Sequence, residues 1–296
     1  MIKMFTQSKS KENFNSSFVF RRTTSQIFDT IKFELTRNKK KLLLILSIFF
    51  VVFAIFFAYN LNTYSDPSIL IPALSNQYIQ TYLDLINIMI LVLAVVFGAS
   101  IIVEDFEKQT GNLVFPNSTK FRLLAGRTIS AFILGSLSII LYYALIGLDT
   151  YWRYSALPIE YLYSFFWAEL YFFMLLSFVI LVSSLSRSSS LTIILVILLV
   201  LVFFTIIERL MSFAGYTDEP LFILSYFGNI ITQILTYPAS RKVTANLDFR
   251  GTTGGVRRSF VSWLTPDPLG ALLFMVGYSV VFLILGYLFF ERRQVE

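Results

Sequence analysis

Residues 104–127 read EDFEKQTGNLVFPNSTKFRLLAGR and separate two long apolar runs, so they form a charged loop at one face of a membrane. The three acids that open the loop suit the positive N-terminal end of a short helix. Gly111 is placed to end that helix, and Pro116 prevents its continuation. Lys120 and Arg127 then fall in the first turns of the next apolar helix. The sequence therefore predicts a short rigid strut on the membrane surface, fixed at both ends to spanning helices, which transmits a push from a soluble partner.

This stretch resembles the first cytoplasmic loop of ABC-2-type transporter permeases. In that family an acidic pair, a further Glu, a Thr-Gly or Gly-Thr step, a Pro-x-Ser turn and a Gly-Lys or Gly-Arg step recur in this order. The corresponding residues here are Glu104-Asp105, Glu107, Thr110-Gly111, Pro116-Asn117-Ser118 and Gly126-Arg127. The apolar run before the proline, residues 113–115, is shorter than the Leu-rich run of the family, so a shorter or differently angled strut is expected.

The composition identifies a polytopic membrane protein. Of 296 residues, 56% are hydrophobic and only 14% are charged, whereas about a quarter of a soluble domain is charged. The mean hydropathy is +0.71. The chain has no Cys and no His, which excludes disulfides, thiolate chemistry, the commonest zinc ligands and the usual general base of hydrolases. In such a protein the net charge of +6 indicates basic cytoplasmic loops rather than nucleic-acid binding.

The N-terminal region divides into two parts. Residues 1–17 are polar and predict a disordered tail. Residues 18–41 predict an amphipathic helix in the cytoplasmic interface, because Ile27, Ile31 and Leu35 recur on one helical face. The resemblance implies an elbow helix that leads into the first span and touches an ATPase; a simple juxtamembrane anchor remains an alternative.

Hydropathy predicts an all-α fold with six transmembrane helices. The loop at 60–82 has no Lys or Arg, so the positive-inside rule places it outside and the N-terminus inside. An even number of spans returns the C-terminal tail, 291–296, to the cytoplasm, and residues 212–265 form a large outer loop. The predicted spans are 42–59, 83–103, 121–148, 161–185, 191–211 and 269–290.

Residues 221–237 are apolar but interrupted by Ser225, Gly228 and Asn229. We expect a re-entrant or interfacial segment, which keeps both termini inside and is similar to the outer-leaflet re-entrant helices that ABC-2-type permeases have before the final span. The alternative, a seventh span, would place the C-terminus outside.

Two features inside the spans stand out. Pairs of small residues four apart, such as Ala94/Gly98 and Ala131/Gly135, allow helices to approach closely. Glu169 lies within the fourth span, about 14 Å from its outer end at 1.5 Å per residue. A carboxylate there is costly and often functional, so it is a candidate for the transport path, with interhelical hydrogen bonding or interfacial solvation as alternatives.

No segment matches the phosphate-binding pattern Gly-x-x-x-x-Gly-Lys-Ser/Thr, so we expect no cofactor on this chain, and ATP and Mg²⁺ on a partner ATPase. The resemblance implies a permease subunit of an ABC exporter, not itself an enzyme, that pairs with a second permease as a homodimer or heterodimer. The residues expected to couple to the ATPase are Glu104, Asp105, Glu107, Lys108, Gln109, Thr110 and Gly111.

Two other classes stay open at this point. An ion-coupled secondary transporter would need several buried acids in its spans. A membrane-embedded lipid-modifying enzyme would need clustered Asp or His at one face. For each of the three classes we expect a multi-pass protein of the plasma membrane of a prokaryotic cell, without a nucleic-acid partner.

Overall fold

The computed structural model describes residues 27–63, 75–107, 119–214, 216, 218–236, 241–249 and 256–293. In this part of the chain six helices are long and apolar enough to cross a membrane. They confirm the predicted all-α, multi-pass architecture. These spans are α2 (Lys39–Thr63), α4 (Ile86–Glu107), α5 (Lys120–Tyr154), α6 (Ile159–Leu185), α7 (Ser189–Phe213) and α9 (Pro268–Arg292).

The remaining elements are short. They are α1 (residues 27–37), α3 (Ser75–Leu83), α8 (Leu224–Gln233) and an antiparallel hairpin of β1 (Lys242–Phe249) and β2 (Val256–Trp263). The predicted tail at 1–17 and the first part of the predicted 18–41 helix lie outside the described residues.

Helix α6 lies at the centre of the bundle and packs against α4, α5, α7, α8 and α9. The most apolar segment of α4 is 72% buried, whereas the most apolar segments of α2, α7 and α9 are only 11–17% buried. The core therefore lies among α4, α5 and α6, and the other three spans leave most of their apolar surface for lipid or another subunit.

Glycines allow the central helices to approach closely. A Cβ added at Gly135 would lie 2.0 Å from Cζ of Phe172, and one added at Gly98 would lie 2.9 Å from Cγ1 of Val179. Such distances leave no room for any side chain, so the small residues do mediate the close α5–α6 and α4–α6 contacts.

Helix α5 is longer than the predicted 121–148 span. It continues to Tyr154 and ends at Ser155, whose φ of 54° is left-handed and whose N–H donates to the carbonyl of Tyr151 at 2.8 Å. Tyr151 and Trp152, which lie beyond the predicted 121–148 span, are exposed residues of this last turn; exposed Tyr and Trp at the end of a span are typical of membrane–water interfaces.

Two short helices fill the end of the bundle opposite the 108–118 loop. Helix α3 lies almost entirely within the predicted 60–82 loop, and α8 lies within the 221–237 segment. About half of the residues of each helix are buried against the bundle. Nε2 of Gln80 in α3 donates to the carbonyl of Thr232 in α8 at 3.0 Å. A ten-residue helix rises only about 15 Å, and α8 is not one of the six candidate spans; that it is re-entrant remains a prediction.

The β-hairpin was not predicted within the 212–265 loop. Its strands pair in register from Lys242↔Trp263 to Phe249↔Val256. The alternating, β-branched and aromatic sequence on both sides of a Gly-rich hexapeptide was the signal for it. At its base, Arg241 pairs with Glu219 at 3.1 Å.

Candidate functional site

A bidentate ion pair closes the base of the charged loop. Nη1 and Nη2 of Arg127, in α5, donate to the two carboxylate oxygens of Asp105, in α4, at 2.6 and 2.9 Å. Nη1 of Arg127 also donates to the carbonyl of Ile101 at 2.7 Å. The two charged side chains are 8% and 3% exposed. Charge-assisted bidentate bonds are among the strongest and most directional in proteins, so the helices entering and leaving the loop are held at a fixed separation.

Helix α1 joins the same network. Oε1 of Glu34 accepts from Nε of Arg127 at 3.1 Å, and Oε2 pairs with Arg37 at 2.8 Å. Arg37 in turn contacts Glu104 at 3.1 Å. We call Glu34, Arg37, Glu104, Asp105 and Arg127 the loop clamp. It connects the N-terminal helix to both helices that carry the loop.

The backbone of α5 allows α1 to reach this position. A Cβ at Gly126 would lie 2.9 Å from Cβ of Thr30 in α1, so only glycine admits the close approach. Nδ2 of Asn38 donates to Oε2 of Glu34 at 3.2 Å, where α1 gives way to α2. On the predicted apolar face of α1, Leu35 packs against the core of the bundle, and Ile27 and Ile31 are half-buried. The most buried residue of α1 is Glu34, which is 3% exposed.

Two further contacts tie the loop ends to the rest of this face. Oε2 of Glu107, the last residue of α4, accepts from N and Oγ of Ser189, the first residue of α7, at 3.0 and 2.9 Å. Nζ of Lys120 donates to the carbonyls of Glu291 and Arg293 at 2.9 and 2.8 Å, at the end of α9. The described chain therefore begins and ends on the face that carries the loop.

The guanidinium of Arg293 completes this connection. Nη1 donates to the carbonyl of Ser186 at 2.7 Å, and the group lies 4.1 Å from the ring centroid of Phe106. The end of α9 is therefore held against both the α6–α7 turn and the last turn of α4. The residues that flank the loop are therefore in direct contact with α1, α7 and α9.

The residues expected to contact an ATPase fall into two groups. Glu104, Asp105 and Glu107 are bound within the chain, and Asp105 is only 2% exposed. The other four, at positions 108–111, lie outside the described residues. The three acids thus anchor the loop in this structure.

Sequence reasoning did not single out Glu34 or Arg37. A signal was present, because Glu34 falls between Ile31 and Leu35 on the packing face of α1, where an unpaired carboxylate would be costly. Its partner, 93 residues away in sequence, could not be read from the pattern.

Glu169 lies away from the loop clamp. Its Oε2 accepts from Oγ of Ser136 across the α5–α6 contact at 2.6 Å. Its Oε1 is buried without a hydrogen-bond partner among the described residues. The carboxylate is half-buried and forms no ion pair with a Lys or Arg in the described part of the chain.

A further buried acid, Asp149, lies at the opposite face from the loop. Its Oδ2 accepts from the hydroxyls of Tyr78 and Tyr82 at 2.7 and 2.6 Å, which ties α3 to α5. Burial, together with the bond to Asp149, raises the pKa of Tyr78 to about 12. Burial also raises the pKa of Tyr82, so both hydroxyls stay protonated donors. Asp149 was expected at the start of a loop and was not recognised as buried.

Among the described residues no group of three or more His, Cys, Asp or Glu could hold a metal ion.

Comparison with known families gives one match over most of the chain. The family described as ABC-2 family transporter protein matches residues 32–295. The match includes the loop clamp, Glu169 and all six spans. No curated protein matches the sequence.

Proposed function

Because the chain belongs to the ABC-2 family of transporter proteins, we propose that it is the permease subunit of an ABC exporter driven by an ATPase on a separate chain. The observation that carries this proposal is the loop clamp, which ties the loop ends to α1, α4 and α5 through two buried ion pairs, Arg127–Glu34 and Arg127–Asp105, and one partly exposed pair, Arg37–Glu104. ATP and Mg²⁺ belong to the partner in this proposal. The loop face is the cytoplasmic face of the plasma membrane, which places both termini inside.

In this proposal the loop residues Lys108, Gln109, Thr110 and Gly111 contact the ATPase. Glu104, Asp105 and Glu107 act behind them by fixing the loop ends to the bundle. A push on a loop with free ends would be lost as local motion. A push on clamped ends moves α4 and α5 together and carries α1 with them, as rigid-body alternating access requires.

A second permease subunit covers part of the uncovered apolar surface. The most apolar segments of α2 and α7 are only 11% and 17% buried, and most of the exposed residues in these segments are apolar. Lipid covers what the second subunit leaves. The second subunit is either a copy of this chain or a related permease. The proposal also assigns Glu169 to the transport path.

One observation favours the ion-coupled alternative. Two acids, Asp149 and Glu169, lie in candidate spans, and each has an oxygen without a hydrogen-bond partner among the described residues. Carboxylates of this kind bind protons or cations in coupled carriers. The permease and the ion-coupled carrier differ in one requirement: only the permease depends on a second chain that hydrolyses ATP.

The loop assignment predicts a co-purification result. The tagged full-length chain, purified from membranes of its own cell, is expected to bring an ATP-hydrolysing subunit with it. The double substitution Thr110→Arg and Gly111→Leu should reduce recovery of the ATPase subunit about tenfold or more, because a loss of about 1.4 kcal/mol in binding free energy already weakens binding tenfold. Ala156→Arg, which puts the same side chain in the loop on the opposite face, is the matched control. Equal recovery with both variants would refute the loop assignment, and no ATPase with the unmodified chain would refute the proposed function.

A further inference from the structure

An apolar groove runs along the contact between α5 and α6, in the halves of these helices that lie away from the loop face. Its volume is about 490 Å³, within the range of about 300–1,000 Å³ typical of small-molecule sites. Its lining includes two small residues, Ala144 and Gly147. The larger lining residues are half aromatic and half aliphatic: Tyr143, Tyr151, Tyr161 and Phe165, and Ile140, Leu148, Leu157 and Leu162.

The groove points toward Glu169. Phe165 in α6 and Ile140 in α5 line its inner part. One helical turn further along the same two faces, Glu169 and Ser136 meet at 2.6 Å across the α5–α6 contact. Neither residue lines the groove itself, but their contact lies one helical turn beyond its innermost lining residues.

This carboxylate has no compensating charge among the described residues. Its described hydrogen-bond partner is the neutral Ser136, and Oε1 has none. A carboxylate within a span costs free energy unless a cation or a proton neutralises it. The aromatic residues of the lining also favour a cationic ligand, because the faces of tyrosine and phenylalanine rings attract cations.

We infer that the groove and Glu169 form a binding site for a lipophilic organic cation, whose positive centre pairs with Glu169 and whose apolar groups fill the space between α5 and α6. This inference rests on the proposed function in treating the ligand as transported cargo, but binding itself requires no ATPase. The charge excludes lipophilic anions, and the apolar lining excludes hydrated inorganic ions. A lipid acyl chain, which would need only the groove, is the competing occupant.

The test compares two ions of the same shape and opposite charge. Tetraphenylphosphonium is expected to bind the purified full-length chain in detergent, and tetraphenylborate is expected to bind at least about tenfold more weakly, because coulombic attraction to Glu169 is replaced by coulombic repulsion. Glu169→Gln keeps the acceptor for Ser136 and should weaken phosphonium binding by the same factor. Glu160→Gln, in the first turn of α6 and outside the groove lining, is the matched control.

A second pair of variants tests the groove itself. Gly147→Leu fills the space, since a Cβ there meets Tyr161 only at an ordinary 3.4 Å; it should reduce phosphonium binding. Gly277→Leu makes the same change in α9, where a Cβ meets nothing within 4 Å, and should leave binding unchanged.

Two results would overturn the inference: equal affinity for the two ions, which would indicate an acyl-chain groove, or unchanged phosphonium binding in Glu169→Gln. Neither depends on an ATPase, so failure here is distinguishable from failure of the proposed function. Conversely, loss of ATPase co-purification would leave the phosphonium result standing.

Discussion

Replacing Arg127 by Gln is expected to lower the free energy of unfolding by about 3–5 kcal/mol, the usual cost of removing one partner from a buried ion pair. The variant leaves Asp105 and Glu34, each 3% exposed, without their shared cation. It also removes the ion pair between α1 and α5 and leaves the Arg37–Glu104 pair between α1 and α4. We therefore expect ATP hydrolysis by the assembled complex to become insensitive to the permease even where the protein still inserts. Thermal unfolding in detergent and ATPase stimulation measure the two effects.

The control is Arg122→Gln, the same change one and a half turns earlier in α5 and not in the loop clamp; it should have a much smaller effect on both measurements. A double-mutant cycle with Asp105→Asn isolates the ion pair, and a coupling of about 0.5–3 kcal/mol is expected for residues in contact. Additive effects of the two substitutions would show that the pair does not act as a unit.

Gly135→Ala is expected to be the most damaging change of a single methyl group in the bundle. The added Cβ would overlap Cζ of Phe172 at 2.0 Å. That ring cannot move aside easily, because it is fully buried and stacked on Phe132 with centroids 5.8 Å apart. Overpacking typically costs about 1–3 kcal/mol, occasionally more, so we expect a lower thermal midpoint and a smaller yield of folded protein.

Gly277→Ala provides the matched comparison, since a Cβ at that position in α9 meets nothing within 4 Å. Its thermal midpoint should be unchanged or slightly raised, because alanine favours helix over glycine. If the two alanine variants had equal stability, the close α5–α6 packing described here would be wrong.

The spans could be predicted from the sequence because their signal is local. Each is an uninterrupted apolar run of about the length that crosses a bilayer, and the small residues of α4 and α5 sit at helical spacing. The number of spans, the helical class and the family resemblance of residues 104–127 depended on such patterns alone. The structure and the family match confirm all three.

Features that depend on distant partners could not be predicted. Helix α3 is short and polar in sequence, and its pattern does not show that Tyr78 and Tyr82 are buried as donors to Asp149 of α5. The hairpin is a different case, because its local signal was present and was read as a loop.

The same limit applies to the candidate site. The sequence indicated that Glu104, Asp105 and Glu107 have a structural or functional role, because acidic residues directly after an apolar span are seldom there without one. It gave no sign that their partners are Arg37, Arg127 and the first residue of α7. Charged residues in a loop are read as exposed by default, and only the packing of α1 onto α5 makes the loop clamp an interior feature.

The central claim is that a separate ATPase drives this chain through the clamped loop. The most direct test measures ATP hydrolysis in vesicles that contain the ATPase alone, the ATPase with the unmodified chain, and the ATPase with Arg127→Gln. We predict that the unmodified chain changes the hydrolysis rate and that the variant does not. The same hydrolysis rate in all three preparations would contradict the account.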